Sequence, residues 1–204
     1  MPLVYQQNIN AVTGMGVWHI TEEEDFFAGV PLQKTITHWH KRLQHLAGRY
    51  LLKEIYPDFP LGLIKIADTR KPFLENDSYH FSISHCRDYA AVLISKEQRC
   101  GVDIELVNDK IGNIIPKFLT AEECALMPRG AIEKTATLFW SVKESVYKWQ
   151  GTGGTDFKKH IRIEKFTGEL EQGIVYCLFR NTTALQVHYL FFNDNFLTWV
   201  LSDH

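Results

Sequence analysis

The chain has 204 residues, of which 45% are hydrophobic, 23% charged and 13% aromatic, and its formal net charge is -2. This composition is typical of a globular chain with a large core and excludes a disordered or fibrous protein. With 22 basic residues against 24 acidic ones and no block of like charge, the chain lacks the basic surface of nucleic-acid-binding proteins. Its apolar runs are too short to span a bilayer. We therefore expect neither nucleic acid nor a membrane as a partner.

The cysteines and the N-terminal segment indicate where the protein works. The four cysteines, Cys86, Cys100, Cys124 and Cys177, lie far apart and form neither a Cys-x-x-Cys pair nor a tract with the spacing of zinc ligands. The first 18 residues lack the basic start and continuous apolar stretch of a signal peptide. These features predict reduced cysteines and a soluble, cytoplasmic protein.

The first half of the chain has the pattern of a strand, a long helix and a small sheet. Residues 12–20 predict a strand, and apolar residues at three- and four-residue steps after Pro31 predict a long helix that ends at Pro57. Four further short runs have the composition of strands: 62–67, 80–84, 89–95 and 100–106.

The second half repeats this order with its helices first. Helices are predicted near 110–118 and 131–150, and a capping box formed by Thr120 and Glu123 begins a short helix between them. Four strands are predicted to follow, near 160–166, 172–179, 184–192 and 196–201. We therefore expect an α+β protein of two similar halves, residues 1–106 and 107–204, with the functional residues at their junction.

Two acidic residues lie two positions apart in one predicted strand. Asp103 and Glu105 therefore leave the same face of the strand, while Val102 and Ile104 take the apolar face. Two carboxylates on one face repel each other unless water or a cation lies between them. With a third oxygen ligand from elsewhere they would form a site for Mg²⁺. The alternative is a solvated strand face, and the pair by itself favours that alternative.

A third carboxylate lies on the predicted helix 131–150. Glu144 and Lys148 are four residues apart and share a helix face, which usually means an exposed ion pair. Large apolar residues surround them and Lys143, including Phe139, Trp140 and Trp149. These apolar neighbours indicate a helix that is buried on several sides and whose charged side chains have a structural or functional role.

Two further groups could bind an anion. Ser84 and His85 end the strand 80–84; adjacent residues do not form a catalytic dyad, but both could hydrogen-bond a phosphate. Arg70 and Lys71 place two cations in a loop before Pro72, which could hold an anionic ligand or face solvent.

Taken in order, these residues resemble the Sfp-type 4'-phosphopantetheinyl transferases. Residues 101–105, GVDIE, are similar to the family's G-[IV]-D-[IV]-E motif. Residues 139–148, FWSVKESVYK, are similar to its [FW]-[SCT]-x-K-E-[AS]-x-x-K motif, and FSISH at 81–85 precedes both. The resemblance covers roughly residues 30–155, and the joint occurrence of the two motifs at this separation is specific.

The resemblance implies a fold and a metal site. The fold would be two related α+β halves that form a pseudo-dimer within one chain, with coenzyme A bound between them. Asp103, Glu105 and Glu144 would hold Mg²⁺, which binds the pyrophosphate of coenzyme A. Lys148 would reach the transferring phosphate, and His85 would add a hydrogen bond.

The resemblance also implies a substrate-binding set and a reaction. Ser84 and His85 would contact phosphates of coenzyme A, and Arg70 and Lys71 would lie near its 3'-phosphate. The phosphopantetheine arm would pass to a serine of an acyl or peptidyl carrier protein, with release of 3',5'-ADP. Such a phosphoryl transfer depends on placing the hydroxyl in line and on neutralising charge.

Two details of this reaction stay open in the sequence. Glu144 would take the serine proton, directly or through a bound water. The Gly-Lys-Gly that commonly follows the second motif is replaced by Gly151-Thr152-Gly153, so an anion contact from that lysine is absent or comes from Lys158 or Lys159.

The carrier protein would present an acidic helix, so its docking surface should combine apolar groups with cations. Residues 34–42 and the residues around Lys117 are candidates for that surface, and the alternative for residues 34–42 is a solvated helix face. Because a pseudo-dimer already builds its own cleft, we expect a monomer.

Two other functions fit some of the same residues. A Mg²⁺-dependent nuclease or phosphohydrolase also uses clustered acids with a lysine, although the net charge of -2 disfavours a nucleic-acid substrate. A non-catalytic module that binds coenzyme A or a carrier protein is the second alternative.

Overall fold

The chain divides into two units, one that ends at Cys100 and one that extends from Gly101 to Ser202. The computed structural model describes residues 2–32 and 35–202. The division precedes the predicted boundary at residues 106 and 107, because the strand that contains GVDIE is hydrogen-bonded into the sheet of the second unit.

The first unit contains a four-stranded sheet and one long helix. The strands of the whole unit are β1 (Leu3–Asn10), β2 (Thr13–His19), β3 (Lys65–Ile66), β4 (Pro72–Phe73), β5 (His80–Cys86) and β6 (Tyr89–Ser95). The sheet has the order β1-β2-β6-β5 with antiparallel pairing throughout, and β3 pairs only with β4. Helix α1 (Trp39–Ile55) packs on β2 and β6.

Helix α1 begins later than its sequence pattern predicts. The pattern starts after Pro31, but the helix starts at Trp39, and residues 33–34 lie outside the described part of the chain. Its buried positions include Leu46, Leu51 and Leu52, which belong to one core with residues of β2, β5 and β6. The three- to four-residue spacing therefore identified Leu46 and Leu51 of the buried face correctly, whereas Trp39, which follows the same spacing, is 65% exposed.

The second unit contains a five-stranded sheet and four helices among its described residues. Strand β7 (Arg99–Leu106) crosses the division and belongs to this sheet. The other elements are α2 (Ile115–Phe118), α3 (Ala121–Ala125), α4 (Ile132–Gln150), α5 (Phe157–His160), β8 (Ile161–Glu169), β9 (Gln172–Phe179), β10 (Thr183–Phe192) and β11 (Asn195–Ser202). The strand order is β7-β11-β10-β9-β8, and the pairs from β8 to β11 are antiparallel. Helix α4 packs on this sheet, chiefly on β11.

Local chemistry explains where the helices of the second unit begin and end. Thr120 and Glu123 form the predicted capping box at the start of α3, with both reciprocal hydrogen bonds present. Helix α4 buries Leu138, Phe139 and Val142 completely. It ends at Gly151, whose φ of 73° is a left-handed conformation that glycine adopts without strain.

The predicted mixture of helices and strands is confirmed, and all four cysteines are free. Burial raises the pKa of Cys100 to about 12, so this thiol packs as a small apolar group. Within residues 2–32 and 35–202, no helix has the length and apolar character needed to cross a membrane. The pairing of the two halves as a pseudo-dimer stays a prediction.

Candidate active site

The strand that carries the first motif lies directly against the backbone of α4. A Cβ atom at Gly101 would collide with the carbonyl oxygen of Ser145 and the amide nitrogen of Trp149. Only glycine permits this approach. Since residues two apart on a strand share a face, the strand turns Asp103 and Glu105 toward the same helix.

Asp103 is bound by two side chains of α4. Its Oδ1 accepts a hydrogen bond from Lys148 Nζ at 2.7 Å, and its Oδ2 accepts one from Ser141 Oγ at 2.8 Å. Asp103 is only 3% exposed, so the solvated strand face considered from the sequence is wrong for this residue. Lys148, which shares a helix face with Glu144, forms an ion pair with Asp103.

Glu105 and Glu144 are half-buried carboxylates beside Asp103. Burial, followed by the charge of Asp103, raises the pKa of each to about 7, and the Lys148 ammonium acts in the opposite direction on both. The indole nitrogen of Trp140 also donates a hydrogen bond to Glu105 Oε1 at 3.3 Å, which lowers the pKa of Glu105. Each of the two carboxyl groups is therefore partly protonated and partly ionised near neutral pH.

The chemistry of this cluster fits a divalent cation, although its geometry does not present a formed metal site. Within the described residues, no group of three or more His, Cys, Asp or Glu side chains is arranged to hold a metal ion. Carboxylate oxygens are nevertheless the ligands that Mg²⁺ prefers. The electrostatic penalty that raises the pKa of Glu105 and Glu144 is one that a divalent cation relieves. The ligand set Asp103, Glu105 and Glu144 stays a prediction.

A second lysine of the same motif is used differently. Lys143 is completely buried, and its Nζ lies 2.7 Å from Glu123 Oε1. Burial lowers the pKa of Lys143, and the neighbouring Glu123 carboxylate opposes that shift. The sequence did not predict this partner, because the capping box accounts for Glu123 without it.

An apolar cavity of about 380 Å³ adjoins the carboxylate cluster through Trp140. The ring of Trp140 lies 5.1 Å from that of Phe118 and 5.4 Å from that of Phe157, measured between centroids. The cavity is lined by Ile114, Lys117, Phe118, Trp140, Asp156 and Phe157.

In the first unit, Ser84 and His85 follow each other on β5 and so project from opposite faces of the strand. Ser84 is 5% exposed, whereas His85 is exposed. Only His85 is therefore placed for a side-chain contact with a ligand in solution. The expected contact of both side chains with phosphate stays a prediction. Side chains on opposite faces of a strand do not readily reach one phosphate group.

The two predicted cations of the basic loop also differ. Lys71 lines a cavity of about 90 Å³ together with His80 and Arg99. Burial, and to a smaller extent the charge of Arg99, lowers the pKa of Lys71. Arg70 is exposed and has a left-handed φ of 66°.

Residues 99–199 match the family model described as the 4'-phosphopantetheinyl transferase superfamily. This part of the chain is a domain of that superfamily. The match contains both sequence motifs and the whole carboxylate cluster, so the family resemblance is confirmed at the level of the superfamily.

Three curated relatives are similar to part of this chain, and all three are named enterobactin synthase component D. The chain is 32% identical over 111 residues to enterobactin synthase component D of Salmonella austin, 34% over 116 residues to that of Salmonella typhi, and 33% over 116 residues to that of Salmonella typhimurium strain LT2. Each alignment covers 53% of this chain and 47% of the relative. The chain thus spans about half the length of the curated relatives it matches.

Three residues of the transferase-superfamily domain were missed as parts of the site. Ser141 binds Asp103, Trp140 binds Glu105, and Glu123 neutralises Lys143. Ser141 and Trp140 lie inside the second motif, where their positions could have singled them out. Thr152, which stands where the family commonly has lysine, accepts and donates hydrogen bonds with Gln150 at the end of α4.

Proposed function

We propose that this protein transfers the 4'-phosphopantetheine group of coenzyme A to a serine of an acyl or peptidyl carrier protein. The observation that carries the proposal is the buried cluster of Asp103, Glu105 and Glu144 around Lys148, in a domain of the transferase superfamily. A cluster with excess negative charge is the arrangement expected where a metal binds a pyrophosphate.

The metal in this proposal is Mg²⁺, held by Asp103, Glu105 and Glu144. When bound, it supplies positive charge to the phosphate oxygens of coenzyme A. Lys148 lies 2.7 Å from Asp103 and is 24% exposed, which leaves its ammonium accessible to an anion. Lys148 would orient the transferring phosphate and stabilise the charge that develops on it.

The proposed transfer balances as a substitution at phosphorus. The serine oxygen of the carrier attacks the phosphorus that bears pantetheine, and the bond from that phosphorus to the bridging oxygen of 3',5'-ADP breaks. The serine proton goes to the carboxylate of Glu144, directly or through a bound water. Burial raises the pKa of Glu144 and the metal would lower it again, so the group would be an available carboxylate when the metal is bound.

Residues of the first unit are proposed to bind coenzyme A. His85 is exposed at the end of β5, and Lys71 lines a cavity with two other basic side chains, which supports an anion-binding role for both. Arg70 and Ser84 are assigned to the same ligand by the family resemblance. We expect His85→Ala and Lys71→Ala to weaken coenzyme A binding, which titration calorimetry measures.

For the carrier protein, the apolar cavity with Lys117 on its lining provides the better of the two predicted surfaces. It combines aromatic walls, which an apolar part of the carrier helix requires, with one cation, Lys117, and one carboxylate, Asp156. The other surface, residues 34–42, begins at Lys34, which lies outside the described residues. Trp39 in that stretch is 65% exposed, which keeps it a candidate.

The test is the intact mass of an apo acyl carrier protein after incubation with this protein, coenzyme A and Mg²⁺, with EDTA as a control. The proposal expects a gain of one phosphopantetheine group that EDTA abolishes. No gain with either an acyl or a peptidyl carrier would overturn it. In that case, Mg²⁺-dependent binding of coenzyme A would favour a non-catalytic module, and its absence would favour the phosphohydrolase.

We also propose a monomer, since the sequence resemblance places the whole site in one chain. Sedimentation equilibrium should give a mass near the chain mass of 23.6 kDa, and a value near twice that mass would contradict the proposal. The cytoplasmic location expected from the sequence stays a prediction.

A further inference from the structure

Lys143 joins several elements of the second unit through one ammonium group. Its Nζ lies 2.7 Å from Glu123 Oε1 and donates to the carbonyl oxygens of Phe118 at 2.8 Å and Phe157 at 3.0 Å. An ammonium group has three N–H donors, so each of them has one acceptor here. The side chain is 0% exposed, which leaves it no route to a ligand in solution.

The partner carboxylate is equally well bound. Glu123 Oε1 also accepts the backbone N–H of Ile163 at 2.8 Å, and its Oε2 accepts that of Thr120 at 2.8 Å. The pair therefore links α4 to the start of α3, to β8 and to the segments that contain Phe118 and Phe157. Its position is determined from several directions at once.

The two carbonyl groups that Lys143 binds belong to walls of the apolar cavity. The rings of Phe118 and Phe157 both lie against Trp140, whose indole nitrogen donates to Glu105. Lys143 therefore holds the backbone of two residues whose side chains fix the indole next to the carboxylate cluster. A displacement of either wall would change the position of the Trp140 N–H relative to Glu105.

We propose that Lys143 is a positioning residue: its buried ammonium, bonded to Glu123 and to the Phe118 and Phe157 carbonyls, sets the cavity walls and the contact of Trp140 with Glu105. The proposal rests on the proposed function, because the cavity and Glu105 belong to the transfer site described above. Lys143 itself touches neither coenzyme A nor the reacting atoms.

Stability alone is a poor explanation for this arrangement. A buried ion pair is often no more stabilising than well-packed apolar residues of similar volume. Apolar residues, however, could not donate three hydrogen bonds to fixed acceptors. The gain from a lysine at this position is therefore the orientation of the two carbonyl groups.

The first test uses the indole N–H signals in a ¹H–¹⁵N NMR spectrum of the full chain. The signal that disappears in Trp140→Phe identifies Trp140. We expect Lys143→Met to shift this signal while the variant stays folded by circular dichroism. Lys134→Met is the matched control, because Lys134 is also on α4 and faces a glutamate, Glu171, at 3.4 Å on the outside of the helix. A Trp140 shift no larger than in the control would overturn the proposal.

A double variant separates positioning from stability. Lys143→Met leaves the Glu123 carboxylate buried without its cation, and adding Glu123→Gln removes that charge. We expect the double variant to regain part of the lost thermal stability, because the amide oxygen can accept only one of the two backbone N–H groups that Glu123 binds. The Trp140 signal should stay displaced, since the two carbonyls still lack their donor. If the double variant regains stability and its Trp140 signal also returns to the native position, the pair only stabilises the fold and the proposal fails. Where Lys143→Met alone does not fold, the double variant carries the same test.

The second readout is the reaction itself. In the double variant we expect kcat/KM for the carrier to fall roughly 10- to 100-fold, as when groups behind a site are removed. Without Mg²⁺, coenzyme A should bind with its native dissociation constant, and Lys134→Met should change kcat/KM by less than about twofold. Weakened coenzyme A binding in the absence of Mg²⁺, where Glu105 holds no metal, would show that Lys143 acts on the ligand directly and would overturn the positioning role. A native protein without transfer activity would overturn the proposed function, and the indole signal would then decide the positioning role by itself.

Discussion

Helix α4 carries two lysines whose ammonium nitrogens each lie 2.7 Å from a carboxylate oxygen. The side chains of Lys143 and Glu123 are 0% and 1% exposed, and additional hydrogen-bond partners surround both. The side chain of Lys148 is 24% exposed, and its partner Asp103 lies beside two further carboxylates. The two pairs are alike in distance and differ in their surroundings.

The surroundings separate a pair whose charges and donors are fully used from a pair that can accept a ligand. Lys143 and Glu123 balance each other's charge and leave no donor of the ammonium group unused, so they need no ligand. Around Lys148, one ammonium group faces the three carboxyl groups of Asp103, Glu105 and Glu144. Burial, together with the charge of Asp103, raises the pKa of Glu105 and of Glu144. A distance of 2.7 Å by itself therefore does not distinguish the two roles.

The largest effect on stability is expected at the balanced pair. Lys143→Met should lower the free energy of unfolding by about 3–5 kcal/mol, because it leaves a buried carboxylate without its cation. Lys134→Met removes a more exposed pair and a cation–π contact with Phe191 at 3.7 Å, and should cost about 1–2 kcal/mol. Urea denaturation measures both values. Equal losses in the two variants would show that burial does not distinguish these pairs.

The largest effect on activity is expected at the cluster of Asp103, Glu105 and Glu144, which has three carboxyl groups for one ammonium group. Asp103→Asn should reduce Mg²⁺-dependent transfer by about 100- to 1000-fold, as the loss of one strong electrostatic contact does at other sites. Asparagine is the better probe than alanine, because Asp103 is buried and its oxygens bind Ser141 and Lys148. The intact-mass assay gives the rate, and circular dichroism checks the fold. Near-native transfer by a folded Asp103→Asn would remove the metal site from the proposal.

The next effect concerns pH and Glu144. The pKa of Glu144 is raised from 4.5 to about 7, so the folded state binds this proton more tightly than the unfolded state. The stability that the protonated group contributes is therefore complete below pH 4.5 and is lost as the pH rises through about 7. Glutamine cannot lose a proton, so the Tm of Glu144→Gln minus that of the native protein should increase between about pH 5 and about pH 8.

This comparison is made by differential scanning calorimetry without Mg²⁺ or coenzyme A. Adding Mg²⁺ at the higher pH should then raise the Tm of the native protein more than that of Glu144→Gln, since a ligand of the metal is missing in the variant. A Tm difference that stays constant with pH would contradict the electrostatic account of the cluster.

The smallest effect is expected at the contact between the cluster and the cavity. Trp140→Phe keeps an aromatic ring against Phe118 and Phe157 but removes the hydrogen bond to Glu105. Because that bond lowers the pKa of Glu105, its loss should move the acidic limb of the pH–rate profile to higher pH. Transfer near neutral pH should fall by roughly tenfold or less. A profile that does not move would show that the indole acts only through packing.

Element types were largely predictable, and the errors have physical causes. Residues 89–95 and 131–150 were predicted close to β6 (Tyr89–Ser95) and α4 (Ile132–Gln150), because strong apolar periodicity marks both. Strand β1 (Leu3–Asn10) was missed because it is an edge strand and mostly exposed, which leaves little apolar alternation. The run 62–67 became a short 3-10 turn and the two-residue strand β3 (Lys65–Ile66).

The candidate site was predictable as a set of residues and not as a set of contacts. The two motifs identified Asp103, Glu105, Glu144 and Lys148, and these residues do lie together in the second unit. The spacing of Glu144 and Lys148 on one helix is typical of an exposed ion pair and does not predict a contact of Lys148 with Asp103. The structure forms that contact across 45 residues of the chain.

Local sequence patterns were enough to predict the kinds of elements, most buried positions of the two long helices and the superfamily, because periodicity and motifs are local properties of a chain. Long-range packing, in contrast, buries Lys143 against Glu123 and leaves Lys148 24% exposed beside three carboxylates. Both lysines belong to one motif and one helix. Their roles differ because packing determines how much water and how many opposing charges each ammonium group meets, and packing depends on residues that are distant in the sequence.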